Sequence, residues 1–252
     1  MKVAICLSGL TRCHTNALSS IDTYFKDHEV DVFCHTYHIN DLNKVVRDTW
    51  SKEATQKYYE NVKETTDEIL KLFNPSEYSI EDYDFVSNLF TFMFLDIMNT
   101  PDMFMENIYG NLTIISMHYS IMVSNMLRKH HQEKTGKTYD AVFRMRYDSH
   151  ILDMSPLEQY DMTRINIPFG RDWSGINDQF AFGPPDLMDK YMSLFPDLVS
   201  VAKSCLRYHG ETILLNHLKN HDCLDKVLRP LMNVLISISR EEKTDDTNIP
   251  QG

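Results

Sequence analysis

From Lys2 to Leu7 the chain is almost entirely apolar and stops at Ser8-Gly9; a helix-forming stretch follows from Asn16 to Phe25, and a second apolar run spans Val30 to Thr36. A buried strand, a glycine turn, a helix and another buried strand make a βαβ unit. Two strands joined through a helix lie parallel, so their C-terminal ends sit side by side. In open α/β sheets ligands bind beyond those ends. Ser8, Gly9 and Arg12 after the first strand, and His35 and Tyr37 at the end of the second, are therefore predicted to border one crevice. A glycine turn running into a helix presents backbone N–H groups, and here an arginine, to a phosphate or a nucleotide edge. The plainer alternative is that Gly9 only makes the turn and Arg12 pairs with a nearby carboxylate. His35 and His38 have no matching carboxylate beside them and read as polar site residues rather than as metal ligands.

The stretch Tyr139 to His150, YDAVFRMRYDSH, alternates with the period of a strand. Ala141, Phe143, Met145 and Tyr147 share one face; Val142, Arg144 and Arg146 share the other, on the side that carries Asp148. An Asp and a His two residues apart at a strand end can turn an oxygen and a nitrogen toward one divalent ion, and two guanidiniums suit phosphate or carboxylate. The alternative is that the arginines pair with acidic neighbours and Asp148 caps a turn. Because Asp148 falls at a strand end rather than in the core, its removal is expected to leave the fold intact.

At 252 residues with 42% hydrophobic content, the chain can bury a full core, and it reads as one α/β domain over 1–239. Residues 240–252 are charged, nearly free of apolar side chains, and expected to be a mobile tail. A formal net charge of −11 argues against nucleic acid or anionic membrane as partner, since both need a cationic field. Five cysteines without C-x-x-C spacing read as free thiols of a reducing compartment. The apolar start is short and lacks a small-residue cleavage site, and no run approaches the ~18 apolar residues of a membrane span. The expected location is cytoplasmic, with the sequon at Asn111-Leu112-Thr113 unglycosylated.

Further along, residues 41–72 are polar and helix-prone, Tyr78 to Tyr83 reads as an edge strand, and Leu89 to Leu95 as a buried helix or lid. Thr113 to Glu133 repeats apolar residues near the helical period and is closed by Gly136. Asn177 to Gly183 reads as a short strand, Asp186 to Phe195 as one helix, Thr212 to Lys219 as another, and Val234 to Ile238 as a strand. Asp178 then stands just before a strand and Glu211 at a helix start, where the dipole favours an anion.

The ordered set KVAICLSGLTR, DVFCHTY, YSIMVSNMLRKHHQEKTGKTYDAVFRMRYDSHI, NDQFAFG and GETILLNHL resembles a family of small GT-A-fold glycosyltransferases of bacteria and large DNA viruses, over residues 1 to 238. The triplet Asp148-Ser149-His150 looks like the D-x-H form of the GT-A D-x-D motif, as in polypeptide N-acetylgalactosaminyltransferases. The resemblance implies a mixed, mainly parallel sheet flanked by helices, with a Rossmann-like nucleotide-binding half. It implies transfer of a hexose or pentose from a nucleotide-sugar donor to a glycan or glycolipid acceptor. Ser8, Gly9, Arg12, His35 and Tyr37 would surround the nucleotide, with Arg144 and Arg146 near its phosphates. Asp148 and His150, with His209 or His217 as a third ligand, would hold Mn²⁺ or Mg²⁺; His150 in place of an aspartate favours Mn²⁺. Alternatively Arg144 and Arg146 carry the phosphate charge without a metal. For an inverting reaction the base would be Glu211 or Asp178, with Glu211 favoured by its place at a late helix start. Two other readings stand beside it: a non-catalytic nucleotide- or glycan-binding module, and a sugar nucleotidyltransferase, which would want a longer glycine-rich loop with a lysine.

Overall fold

The computed structural model describes residues 1–40, 64–94, 108–205 and 209–236. The stretch 41–63, Leu95, and the tail from Arg240 lie outside them. In chain order the elements are β1 (Lys2–Ser8), α1 (His14–Tyr24), β2 (Glu29–His38), α2 (Thr66–Leu72), β3 (Glu77–Asp82), α3 (Tyr83–Met93), α4 (Ile108–Thr135), β4 (Ala141–Arg146), β5 (Ser149–Asp153), β6 (Ile165–Asn166), β7 (Ala181–Gly183), α5 (Pro185–Met192), α6 (Leu194–Ser204), α7 (Gly210–Asn220), β8 (Val227–Leu228) and β9 (Asn233–Ile236).

The fold is α/β, a mainly parallel seven-stranded sheet in the order β3-β2-β1-β4-β7-β6-β8 with helices on both faces. β3, β2, β1 and β4 run parallel; β7 joins β4 antiparallel, Phe143 opposite Phe182. Those two rings stack at 4.6 Å, which adds about 0.5–1.5 kcal/mol to their area burial. β1 is central and buried on both sides. Val3, Ile5 and Leu7 pack with Phe143, Met145 and Tyr147 beneath α1 and α2, while Ala4 and Cys6 join Ile121, Met188 and Leu214 beneath α4, α5 and α7. The strand alternation expected for 139–147 is thus correct, with both faces covered.

Three elements depart from expectation. The strand of the arginines does not end at His150. The chain turns at Tyr147-Asp148 and starts β5, which pairs antiparallel with the remote β9 in a separate two-stranded sheet. Ser149 Oγ accepts the Arg146 N–H at 3.0 Å and closes that turn. The helix expected over 186–195 is two helices, α5 and α6, divided at Ser193. Pro196 explains the break, since it lacks the N–H and crowds the carbonyl four residues back, so it fits only in the first turn of a new helix. The strand expected over 177–183 is reduced to Ala181–Gly183, leaving Asp178 in a loop. The aromatic run is split: Phe90 and Phe94 are buried, Leu89, Phe92 and Met93 exposed.

Candidate functional site

At the end of β4 the carboxylate of Asp148, 1% exposed, is gripped by two cations. Arg146 approaches fork-wise, Nε to Oδ1 at 2.7 Å and Nη2 to Oδ2 at 2.7 Å, and Arg12 adds Nε to Oδ2 at 3.1 Å. Burial pushes the Asp148 carboxyl up, but Arg146 and Arg12 outweigh it and hold the group below the ordinary carboxylate range. Both cations are part-exposed, so the cluster opens to solvent on their side. Two residues back, Arg144 is wholly buried, and its Nε and Nη1 have no hydrogen-bond partner. Burial lowers its pKa, while Tyr191, Asp178 and Asp148 act in the other direction.

Asp178 and Glu211, distant in sequence, meet where the 170–180 loop packs on the first turn of α7. Ile176 N–H donates to the Glu211 carbonyl at 3.1 Å, and Asn177 N–H donates to Asp172 Oδ1 at 3.0 Å, which fixes the loop's path. Two glycines permit the approach. A Cβ on Gly175 would lie 2.1 Å from the Glu211 carbonyl carbon, and one on Gly210 would lie 2.5 Å from Asp178 Oδ2. The two carboxylates share a desolvated space, so each makes ionisation of the other harder. Burial first, and then the neighbouring Asp178, push the Glu211 carboxyl up to about 8. Burial likewise raises Asp178, against the pull of Arg144 and Arg146. Burial works against the charge of Arg146, but Asp148, Asp178 and Glu211 together outweigh it and raise its pKa, which links the two halves of the site. A carboxyl that titrates near neutrality beside fixed cations is suited to proton transfer.

The other expected site residues are placed differently. Gly9, at φ 104, is in the left-handed region that the turn after β1 demands. Its N–H donates to Ser120 Oγ at 2.8 Å, so it is engaged by α4 rather than turned toward a ligand. Ser8 is buried with an unpartnered hydroxyl. His35 and Tyr37 are buried against α4: His35 Nδ1 meets Ser120 Oγ at 2.7 Å, and Tyr37 donates to the Ser116 carbonyl at 2.8 Å. His35 therefore bears on the Gly9 turn through Ser120. His150 is half-buried on β5 opposite Leu235, and His209, preceding α7, turns Nδ1 onto Glu211. His217 is buried on α7 and hydrogen-bonded to the Lys190 carbonyl. Asp148, His150 and His209 do not form one cage. Among the described residues, the group of three whose ligand atoms lie within 4.8 Å of one another is Asp197, His217 and His221. Since both Asp148 oxygens are also taken by guanidiniums, this arrangement does not fit an ion held by the Asp148 set.

Sequence reasoning missed Tyr191, His118 and Asp172. Tyr191 on α5 buries an unpartnered hydroxyl near Arg144. His118 on α4 is driven down to about 3 by burial, with Arg144 and His217 adding to the effect. Asp172 salt-bridges Arg229 at 2.6 Å and raises Glu211 further. Each stands on a different element, and no local spacing marks any of them.

No family model and no curated protein matches the sequence. Among solved structures, the chain is similar to mouse xyloside xylosyltransferase 1 in its apo form, at 7% identity over 91% of this chain and 84% of that one, with a TM-score of 0.38. No helix among the described residues is long and apolar enough to cross a membrane.

Proposed function

We propose that the chain is a glycosyltransferase that moves a sugar from a nucleotide-sugar donor to a hydroxyl of a glycan or glycolipid acceptor. The observation that carries this reading is the convergence of Arg12, Arg144 and Arg146 with the Asp178–Glu211 pair beyond the parallel strands β1 and β4, where ligands of open α/β sheets sit. Glycosyl transfer from a nucleoside diphosphate needs both halves. Glu211, ionised, takes the proton of the acceptor hydroxyl as its oxygen bonds to the anomeric carbon. The bond from that carbon to the diphosphate breaks, and its electron pair stays on the departing phosphate oxygen. The growing charge there is met by the guanidiniums, which stabilise the transition state more than the ground state. A base titrating near 8 has the basicity for this step at neutral pH. Asp178 keeps Glu211 basic by its neighbouring charge, and in this reading it would hold acceptor hydroxyls.

Mn²⁺ or Mg²⁺ at Asp148 would first have to displace Arg146 and Arg12 from its oxygens. The geometry therefore favours the form of this reading in which arginines carry the diphosphate charge. The test is a panel of nucleotide-sugars assayed for donor hydrolysis, with thermal melts in nucleoside diphosphate, each with and without Mn²⁺. The expected result is a nucleoside diphosphate that raises the melting temperature, since a ligand bound only by the folded state adds about 2.7 kcal/mol at a hundred times its Kd. No shift with any nucleotide at millimolar concentration, together with no hydrolysis, refutes the proposal. A strict need for Mn²⁺ would return the metal to Asp148.

A further inference from the structure

At the opposite end of α7 from Glu211, three side chains outside the arginine and carboxylate cluster converge. We infer that Asp197, His217 and His221 form a binding site for one divalent first-row transition ion of the Zn²⁺ class. His217 on the last turn of α7 and His221, its C-cap, are four apart, so they share one face, with ring centroids 4.4 Å apart. Asp197 comes from the first turn of α6. Its Oδ2 lies 2.8 Å from His221 Nε2 and 3.7 Å from His217 Nδ1. Tetrahedral coordination with bonds of about 2.0–2.1 Å separates ligand atoms by about 3.3 Å. The two distances bracket that value.

The independent sign is the state of His217. The ring is fully buried, and its Nε2 is 2.8 Å from the Lys190 carbonyl. A carbonyl only accepts, so Nε2 carries the hydrogen, and in the neutral ring Nδ1 presents a lone pair. That Nδ1 is buried without a hydrogen-bond partner and faces a carboxylate oxygen. A lone pair and a carboxylate facing each other call for a cation between them. An imidazole oriented by donating its far N–H to a backbone carbonyl is the usual arrangement behind a metal-bound histidine. Two further features favour a cation: the helix C-terminus carries partial negative charge, and Asp197 adds a full one. Two imidazoles with one carboxylate suit Zn²⁺ and its neighbours rather than Mg²⁺ or Ca²⁺, which prefer all-oxygen shells. Asp197 and His221 are 41% and 37% exposed, which leaves an entry path and a fourth position for water. The bound ion would tie α6 to the far end of α7, the helix whose first turn carries Glu211.

The test titrates zinc chloride into the full chain stripped with a chelator, by calorimetry, and repeats the titration with Co²⁺ to read the absorption of tetrahedral coordination. Wild type is expected to bind one equivalent and to melt higher with zinc present. His221→Ala and Asp197→Asn should each weaken binding by about 100-fold or more and lose the zinc-dependent rise in melting temperature. His130→Ala, which removes a different histidine that pairs with Glu77 at 2.9 Å, should bind as wild type. Absence of saturable binding in wild type overturns the inference. So does wild-type affinity in either His221→Ala or Asp197→Asn, which would place the ion elsewhere.

Discussion

Gly175→Ala tests whether the packing of the 170–180 loop on α7 sets the properties of Glu211. The added Cβ would sit 2.1 Å from both the carbonyl carbon and oxygen of Glu211 and 2.4 Å from the Thr212 nitrogen, whereas real Cβ atoms essentially never come under 3.0 Å. The gap must therefore open by at least 0.9 Å (3.0 − 2.1). The obstacle is helix backbone, held by its own hydrogen bonds, so the loop is what moves. The Ile176 to Glu211 bond, 3.1 Å in the native packing, would stretch to about 4.0 Å, beyond hydrogen-bonding range. Overpacking costs about 1–3 kcal/mol and the lost bond about 0.5–1.5 kcal/mol. For a chain of this length each kcal/mol lowers Tm by about 2–4 °C, so a loss of about 3 kcal/mol predicts a fall of about 6–12 °C. Asp178 travels with the loop, so Glu211 should titrate closer to an ordinary carboxylate, and transfer should fall by about 10²-fold because a 1 Å misplacement costs on that order. Gly136→Ala is the control: at φ +72 with no atom within 4 Å, it carries only backbone strain. Thermal melts, and the pH dependence of transfer once a donor is known, read both effects. A Gly175→Ala protein that melts and turns over like wild type would refute the close packing described here.

Glu211→Gln keeps shape but removes the base, so transfer should drop by about 10²-fold or more with donor affinity unchanged, while Asp178→Asn should chiefly raise the acceptor KM; the reverse pattern moves the base to Asp178. Because Glu211 holds its proton up to about 8 when folded and only to about 4.5 when unfolded, the folded state binds more protons between those values. Stability should therefore fall as pH rises from about 5 to 8. Urea midpoints in that window should decline in wild type and decline less in Glu211→Gln, where Asp178, also raised by burial, still adds the same sign, and equal slopes in the two proteins would discount the raised titration. Asp148 carries the opposite sign, its contribution being lost only as pH falls below the ordinary aspartate range, so it does not confound that window. Asp148→Ala should cost about 3 kcal/mol, the low end for breaking a buried pair since Arg12 and Arg146 are part-exposed. Unchanged urea stability in that variant would restore the expectation that removing this strand-end carboxylate leaves the fold intact.

What was legible in the sequence was periodic and local. β1, α1, β2 and β4 carry buried runs or clean alternation, and they follow one another closely enough for the crossover to be read directly. β6, β7 and β8 are only two or three residues long, and their identity lies in pairing partners rather than in their own residues. The same holds for β5, whose partner β9 comes some eighty residues later, so the arginine strand reads as simply ending at His150. The candidate site shows the same division. Residue types and the fold position of Arg12, Arg146, Asp148, Asp178 and Glu211 could be marked from local signals. The glycine-mediated approach of the 170–180 loop to the first turn of α7, which gives Glu211 its basicity, is a contact between segments and leaves no spacing to find. His35 and Tyr37 sit at the right strand end but face α4, because β2 is covered by that helix and both side chains find partners there.

The placement of Asp148 changes what the D-x-H triplet does in this chain. Read alone, an aspartate and a histidine at a strand end ask for an ion. In the fold, Asp148 instead organises cations, fixing the fork of Arg146 and drawing Arg12 across from the first turn of the sheet. On the proposed reading, an incoming diphosphate would compete with Asp148 for those two guanidiniums, so binding there would exchange one ion pair for another and gain little in net charge pairing. Arg144 is different: two of its nitrogens, Nε and Nη1, have no partner, and leaving them buried and unmet costs about 1–3 kcal/mol or more. Arg144 is wholly buried, so an anion would have to uncover it first, but one that did would recover that deficit without breaking an existing pair. If the proposed reading holds, Arg144 is therefore the arginine whose removal should weaken anion binding most, while Asp148 keeps Arg12 and Arg146 in place.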